Sequence, residues 1–220
     1  MGRSPVGPQV RALALPLLGL WLPAAVALAA LVLQDRHTVD MFLRDPAAMS
    51  GLPWFAGAFS GAGVIGWIAT AAVCLYAAIA APRRPEYERW RAFALGAGLL
   101  SAILGMDDLF LFHEAGAKQI FGVHEIVILV GYFVATAWFL VDFRREILET
   151  EWLGLLAALG MFTLSVTLDK GQGRWGDGIP ERLWSVGEDG AKLLGILAWA
   201  VYFVRTCRAR LAPGTGDPAG

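Results

Sequence analysis

The sequence predicts an all-α, polytopic membrane protein, folded as a single integral-membrane domain over residues 1–220. Hydrophobic residues make up 57% of the chain and charged residues only 17%, whereas soluble domains carry about a quarter charged residues. The charges are also clustered, which leaves apolar runs of roughly 17 to 25 residues, the length that crosses a bilayer as a helix. The lipid bilayer is therefore the main expected partner. A net charge of -1 without a basic stripe gives no indication of nucleic-acid binding.

Six apolar runs define the predicted transmembrane helices. The first run is longer than the roughly 7 to 15 apolar residues of a signal peptide, so we interpret it as a retained helix. The uncharged stretch from Pro46 to Pro53 is expected to lie along the membrane surface. The predicted spans are Leu13 to Leu33, Trp54 to Ala80, Ala92 to Phe112, Glu125 to Val141, Trp152 to Leu168 and Leu183 to Val204.

Arginine residues predict the orientation of this bundle. They are concentrated before the first span, between the second and third, between the fourth and fifth, and after the sixth. With six crossings these segments share one side, and basic loops favour the cytoplasm. We therefore expect both termini to be cytoplasmic, in a multi-pass protein of the cell (inner) membrane. The arginines concerned are Arg3, Arg11, Arg83, Arg84, Arg89, Arg91, Arg144, Arg145, Arg205, Arg208 and Arg210.

Acidic residues and all three histidines fall at the opposite, outward ends of the spans. Ionisable groups in an apolar span are costly unless they are paired, hydrated or bound to a ligand, so they mark candidate functional sites. Helical spacing places Asp107 and Glu114 on one face, and it places Lys192 between two acids of the last span. We expect these faces to meet in one outward-facing pocket. Its predicted residues are His37, Asp107, Asp108, His113, Glu114, His124, Glu125, Tyr132, Ser165, Asp169, Glu188, Asp189 and Lys192.

Histidine combined with carboxylates suits a divalent metal, with zinc favoured and iron or manganese as alternatives. His113 and His124 are the predicted pair of imidazole ligands. Asp107, Asp108, Asp169 or Glu188 would complete the shell, with His37 as a further candidate. An unbroken helix would point His113 about 120° away from Asp107, so the third span must fray near Phe112 for both to serve one ion.

The pocket favours a metal-dependent membrane hydrolase that acts on a lipid-like or small amphipathic substrate. A bound metal would activate water as the nucleophile. Asp107, Glu114 and Glu125 are the candidate catalytic carboxylates, with Glu114 or Glu125 as general base.

Other classes of protein use the same types of residue. A proton- or cation-coupled transporter or channel would use the acidic cluster as a vestibule, but the inner halves of the spans carry few polar residues to continue a path. A haem protein would need room between helices that small residues at i, i+4 spacing do not favour. A structural or partner-binding membrane subunit is the remaining alternative.

Overall fold

The computed structural model describes residues 46–53, 55–175 and 181–211, with isolated positions between 15 and 33; for residues 47–48, 172–175 and 181–182 it describes the backbone alone. Residues 1–56 form a separate compact unit, in which the short helix Pro46–Met49 is described. The predicted first span, Leu13 to Leu33, lies largely outside the described residues, as does His37.

Five long helices follow from residue 57 onward, and each contains an apolar stretch long enough to cross a membrane. The described part of the chain contains helices and connecting turns and no strand. The chain is therefore an all-helical, multi-pass membrane protein. The helices are α1 (Ala58–Ala80), α2 (Pro85–Phe110), α3 (Glu125–Asp142), α4 (Trp152–Trp175) and α5 (Glu181–Leu211).

The observed helices run beyond the predicted apolar runs at several ends. α2 begins at Pro85 rather than Ala92, because proline suits the first position of a helix and acidic Glu86 and Glu88 complement the helix dipole in its first turn. α5 continues to Leu211 rather than Val204, with Arg208 and Arg210 in its last turn. Polar ends of spans remain helical because the helix itself satisfies their backbone hydrogen bonds.

Close helix packing depends on glycine at defined positions. α1 packs against α2 and α5, and α5 packs against α4. A Cβ atom added at Gly98 of α2 would lie 2.7 Å from the Leu75 side chain of α1, and one at Gly195 of α5 would lie 2.7 Å from the Phe162 ring of α4. The missing side chains therefore let these helix backbones approach, as is common in membrane bundles. α3 is peripheral and buries only Phe139.

An aromatic layer runs through the bundle from the cavity wall to the Phe143 ring, which lies 4.6 Å from the Arg89 guanidinium at the other end. It is formed by Trp67, Phe162, Trp199, Phe93, Phe139, Phe143 and Phe203. Trp67 stacks on Phe162 with ring centroids 5.6 Å apart, and Trp199 meets Trp67 edge-on at 5.8 Å. The indole N–H of Trp199 donates to the Ser101 hydroxyl at 2.9 Å, which satisfies a polar group in this otherwise apolar region.

The alternating course of α1 to α5 gives the bundle two polar ends. The cavity end contains Asp107, Glu125, Asp169 and Glu188. The arginine end contains Arg89, Asp142, Glu151 and Arg205, which form ion pairs there. The aromatic layer separates the two ends.

Candidate functional site

A cavity of about 470 Å³ lies at the cavity end, lined by side chains from all five long helices and the turn after α2. This volume is within the range of small-molecule sites. Trp67 and Phe162 of the aromatic layer form part of its wall. Its polar lining consists of Asp107 and Asp108 from α2, His113 and Glu114 from the turn, Glu125 and Tyr132 from α3, Ser165, Asp169 and Lys170 from α4, and Glu188, Asp189 and Lys192 from α5.

Asp107 is buried and accepts hydrogen bonds from three donors. One carboxylate oxygen accepts from the backbone N–H of His113 at 2.9 Å and from the Tyr132 hydroxyl at 2.7 Å. The other carboxylate oxygen forms a hydrogen bond with Nδ1 of the His113 imidazole. A carboxylate held in this way fixes both the orientation and the tautomer of its histidine partner. The other ring nitrogen, Nε2, lies 3.7 Å from the Glu114 carboxylate.

Helix α2 is interrupted at Leu111, and this interruption brings the His113 imidazole to Asp107. α2 ends at Phe110, and Leu111 adopts the left-handed conformation with φ 50° and ψ 41°. It is the one non-glycine residue with positive φ in the described segments. A single π-helical turn, Phe112–Gly116, then returns His113 toward Asp107. Left-handed backbone costs a leucine about 1 to 2 kcal/mol, and such strain occurs mainly where the surrounding structure uses it.

Asp108 connects α2 to two other helices. One of its oxygens accepts from the Lys192 ammonium of α5 at 2.6 Å, and the other accepts from the indole N–H of Trp67 on α1 at 3.0 Å. The adjacent carboxylates thus point to different partners, with Asp107 toward α3 and the turn and Asp108 toward α1 and α5. Lys192, predicted to pair with an acid of its own helix, instead bonds across the bundle.

The rim of the cavity contains both paired and unpaired acids. The Lys170 ammonium lies 3.0 Å from Glu125 of α3 and 2.8 Å from Asp169. Glu188 and Asp189 line the same rim, and neither forms an ion pair or hydrogen bond with any described residue. The rim therefore carries excess negative charge.

The Asp107 carboxylate changes the proton affinity of His113. The hydrogen bond from His113 to Asp107 raises the pKa of the imidazole, and the charges of Asp107 and Glu114 act in the same direction, while burial and Lys192 oppose them. A histidine in this position can accept a proton at Nε2 and return it later, which is the chemistry of a general base and acid.

Of the predicted metal ligands, His113, Asp108, Asp169 and Glu188 line the cavity, and His124 does not. His124 precedes α3, where its Nδ1 accepts from the backbone N–H of Ile126 at 3.4 Å, and it does not line the cavity. Asp108 forms an ion pair with Lys192 and accepts a hydrogen bond from Trp67. Asp169 forms an ion pair with Lys170. Across the described residues there is no group of three or more His, Cys, Asp or Glu side chains that could hold a metal ion.

Two parts of the site were missed from the sequence. Trp67 appeared to be an ordinary apolar residue of a span, yet its indole N–H binds Asp108. Lys170 lies just beyond the predicted fifth span, yet its ammonium bridges α3 and α4 through Glu125 and Asp169. A signal for Lys170 existed, because it follows Asp169 directly at the end of an apolar run.

The fold and cavity define a multi-pass membrane protein with a polar, ionised pocket at one end of a helical bundle. Residues 17–206 match the family described as Domain of unknown function (DUF8692), and the chain belongs to this family. No curated protein and no solved structure matches the chain.

Proposed function

We propose that the cavity is the active site of a membrane hydrolase in which His113 is the general base. The supporting observation is the Asp107–His113 contact: three donors hold Asp107, and Asp107 orients the imidazole with Nε2 away from it. Asp107 acts as a positioning residue. A base oriented in this way contributes on the order of 10² to 10⁴ in rate.

The proposed reaction is hydrolysis of an ester or amide. Nε2 of His113 takes a proton from water as the water oxygen attacks the carbonyl carbon. The same nitrogen then returns the proton to the leaving oxygen or nitrogen as its bond to carbon breaks. Lys192 is the candidate to stabilise the negative oxygen, because its ammonium lines the cavity and has donors beyond the one used on Asp108.

The lining of the cavity supports a lipid-like or small amphipathic substrate. Apolar side chains of Leu104, Leu129, Phe162 and Val166 lie beside the polar groups in one cavity. Such mixed walls suit a molecule with a polar head and an apolar chain. On the arginine distribution, the cavity faces outward from the cell (inner) membrane, with both termini cytoplasmic.

A divalent metal, zinc first, is the second candidate for activating water. Histidines that bind metals commonly donate their other ring N–H to a carboxylate, which is the relation of His113 to Asp107. The Glu114 carboxylate near Nε2 would be a second ligand. In this case His113 would hold the ion instead of taking the proton.

A transporter is less well supported by the geometry. The stacked Trp67 and Phe162 rings, with Trp199 against them, lie between the cavity and the arginine end. The polar groups within this layer bond to each other or to the backbone, as Trp199 and Ser101 do. This arrangement favours a pocket closed at its inner end over a continuous polar path.

The test is hydrolysis of a long-chain acyl ester with a fluorogenic alcohol leaving group, measured in nonionic detergent micelles. We expect turnover by the parent protein and a loss of about 100-fold or more in His113→Asn. Glu151→Gln, at the arginine end, is the control and should retain the parental rate. Unchanged turnover in His113→Asn would overturn the proposal.

Dialysis against a chelator shows whether His113 acts as the general base or holds a metal ion that activates water. Activity that survives removal of metal supports His113 as the base. Activity that is lost on dialysis and returns only with zinc supports the metal.

A further inference from the structure

We infer that the substrate of this cavity carries a cationic, ammonium-type headgroup, which binds beside Glu188 and Asp189. The inference rests on the proposed function only in treating the bound molecule as a substrate. Binding itself requires the charges and walls of the cavity, and it can be measured without turnover.

The charges that line the cavity are unbalanced. They comprise seven carboxylates, two lysines and one histidine. Asp108 is compensated by Lys192, and Glu125 and Asp169 share Lys170. Asp107 is bonded to His113. Glu188, Asp189 and the exposed Glu114 therefore carry most of the excess, and the rest lies on Glu125 and Asp169, which share one lysine.

Glu188 and Asp189 are the acids without a cation. Glu188 is half-buried and faces the like charges of Asp169 and Asp189, which the more distant ammonium groups of Lys170 and Lys192 offset only in part. No described residue forms an ion pair or hydrogen bond with either side chain. A half-buried carboxylate such as Glu188 is costly to keep charged near the end of a membrane span, and a cation bound beside it and the exposed Asp189 would reduce that cost.

Ser165 provides independent support for a ligand site in this cavity. Its side chain lies deeper on α4, is only 8% exposed and lines the cavity. Its hydroxyl has no hydrogen-bond partner among the residues that the structure describes. Since the Ser165 side chain lines the cavity and its hydroxyl has no protein partner there, a polar atom of the bound molecule is the expected partner.

The size and walls of the cavity favour an amphiphile over a bare ion. A volume of about 470 Å³ greatly exceeds that of one dehydrated ion. The apolar wall of Leu104, Phe162 and Val166 lies in the same cavity and would contact a hydrocarbon chain. An ammonium headgroup at the acidic rim with its chain against this wall matches both features.

The experiment compares three fluorescent amphiphiles with the same alkyl chain and an ammonium, an uncharged polyol or a sulfonate headgroup. Binding is measured by anisotropy in nonionic micelles. The ammonium probe should bind on the order of tenfold more tightly than the uncharged probe, and the sulfonate probe more weakly than both. Glu188→Gln/Asp189→Asn should remove most of this preference. Glu149→Gln/Glu151→Gln, with the same charge change at the arginine end, should retain it.

Several outcomes would overturn the inference. They are equal binding of the ammonium and uncharged probes, a preference that survives in Glu188→Gln/Asp189→Asn, or displacement of the ammonium probe by stoichiometric calcium or zinc. If the double variant does not fold, the three-probe comparison on the parent protein still shows whether the ammonium probe is preferred. The single variant Asp189→Asn should then weaken that preference.

His113→Asn separates this inference from the proposed function. The variant should lose hydrolysis and keep the ammonium preference. Loss of hydrolysis without any headgroup preference in the parent would contradict the inference alone.

Discussion

The cavity end and the arginine end both contain ion pairs, but they differ in how those pairs meet solvent. The side chains of Arg205 and Glu151 at the arginine end are 61% and 64% exposed. Those of Lys192 and Asp108 at the cavity end are 41% and 10% exposed. Exposed pairs contribute little to stability, whereas removing one partner of a buried pair is strongly destabilising. Asp108 at the cavity end therefore holds its charge where charge is costly, as Glu146 does at the arginine end, where its side chain is 14% exposed beside Arg89. The Arg205–Glu151 pair, by contrast, lies on a solvated surface.

The type of cation differs as well. Arg205 holds Glu151 through two parallel hydrogen bonds, each of 2.5 Å, and a guanidinium does not lose its proton in proteins. The cavity end uses lysine and histidine, and His113 can exchange a proton near neutral pH. Charge is thus fixed at the arginine end and variable at the cavity end.

The largest expected effect on stability is that of Lys192→Met. Asp108 would keep only the Trp67 indole as a partner, so we expect the free energy of unfolding to fall by about 2 to 3 kcal/mol, less than for a fully buried pair because Lys192 is partly exposed. Unfolding in mixed detergent micelles measures this change. The double variant Asp108→Leu/Lys192→Met should recover much of the loss. If Lys192→Met were no more destabilising than Arg205→Met, the contrast between the ends would fail.

Gly195→Ala tests the boundary between the cavity and the aromatic layer. The added Cβ would lie 2.7 Å from the Phe162 ring, and overpacking of this kind costs about 1 to 3 kcal/mol. Gly190→Ala, on the same helix, is the matched control because no atom lies within 4 Å of its added Cβ. Equal unfolding free energies for the two variants would show that α4 and α5 do not approach this closely.

The His113 contact should make stability depend on pH. Since Asp107 raises the pKa of His113, the stabilisation is fully present below about pH 6.5, the ordinary value, and is lost as pH rises through the raised pKa. Glu114 and Lys192 are the other charged groups facing this imidazole. The difference in unfolding free energy between parent and His113→Asn should therefore shrink as pH rises. A difference independent of pH would contradict the assignment.

The Arg205–Glu151 ion pair should contribute least to stability, and its contribution should change with pH in the opposite direction to that of His113. The hydrogen bond from Arg205 lowers the pKa of Glu151, so its contribution is present above about pH 4.3, the ordinary value, and is lost as pH falls through the lowered pKa. Because both side chains are mostly exposed, Glu151→Gln should barely change the thermal midpoint at neutral pH. A large drop there would mean that the arginine end is not simply a solvated surface.

Much of the bundle could be predicted from hydropathy and helical spacing. α1 to α5 follow the apolar runs because a bilayer requires uninterrupted helices of that length. Asp107 and Ser165 share a cavity with Glu188 because polar faces of neighbouring spans have only each other to contact. Six spans and cytoplasmic termini stay predictions, since the first span lies largely outside the described residues.

The local geometry of the site was not predictable in the same way. The sequence argument placed a possible break near Phe112, but leucine rarely adopts positive φ, so the left-handed conformation of Leu111 itself was not predicted. Without that break His113 would face away from Asp107. The pairing of Lys192 with Asp108 depends on how α2 and α5 pack, and the sequence of α5 alone offers Glu188 and Asp189 as nearer partners.

Rescue of His113→Ala by imidazole tests the central claim most directly. With the fluorogenic acyl ester, removal of the side chain should reduce turnover by about 100-fold or more. Added imidazole should restore part of the rate in proportion to its concentration, because it supplies the missing base in the vacated space. A His113→Ala protein that keeps the parental rate, or one restored by zinc and not by imidazole, would contradict a general-base role for His113.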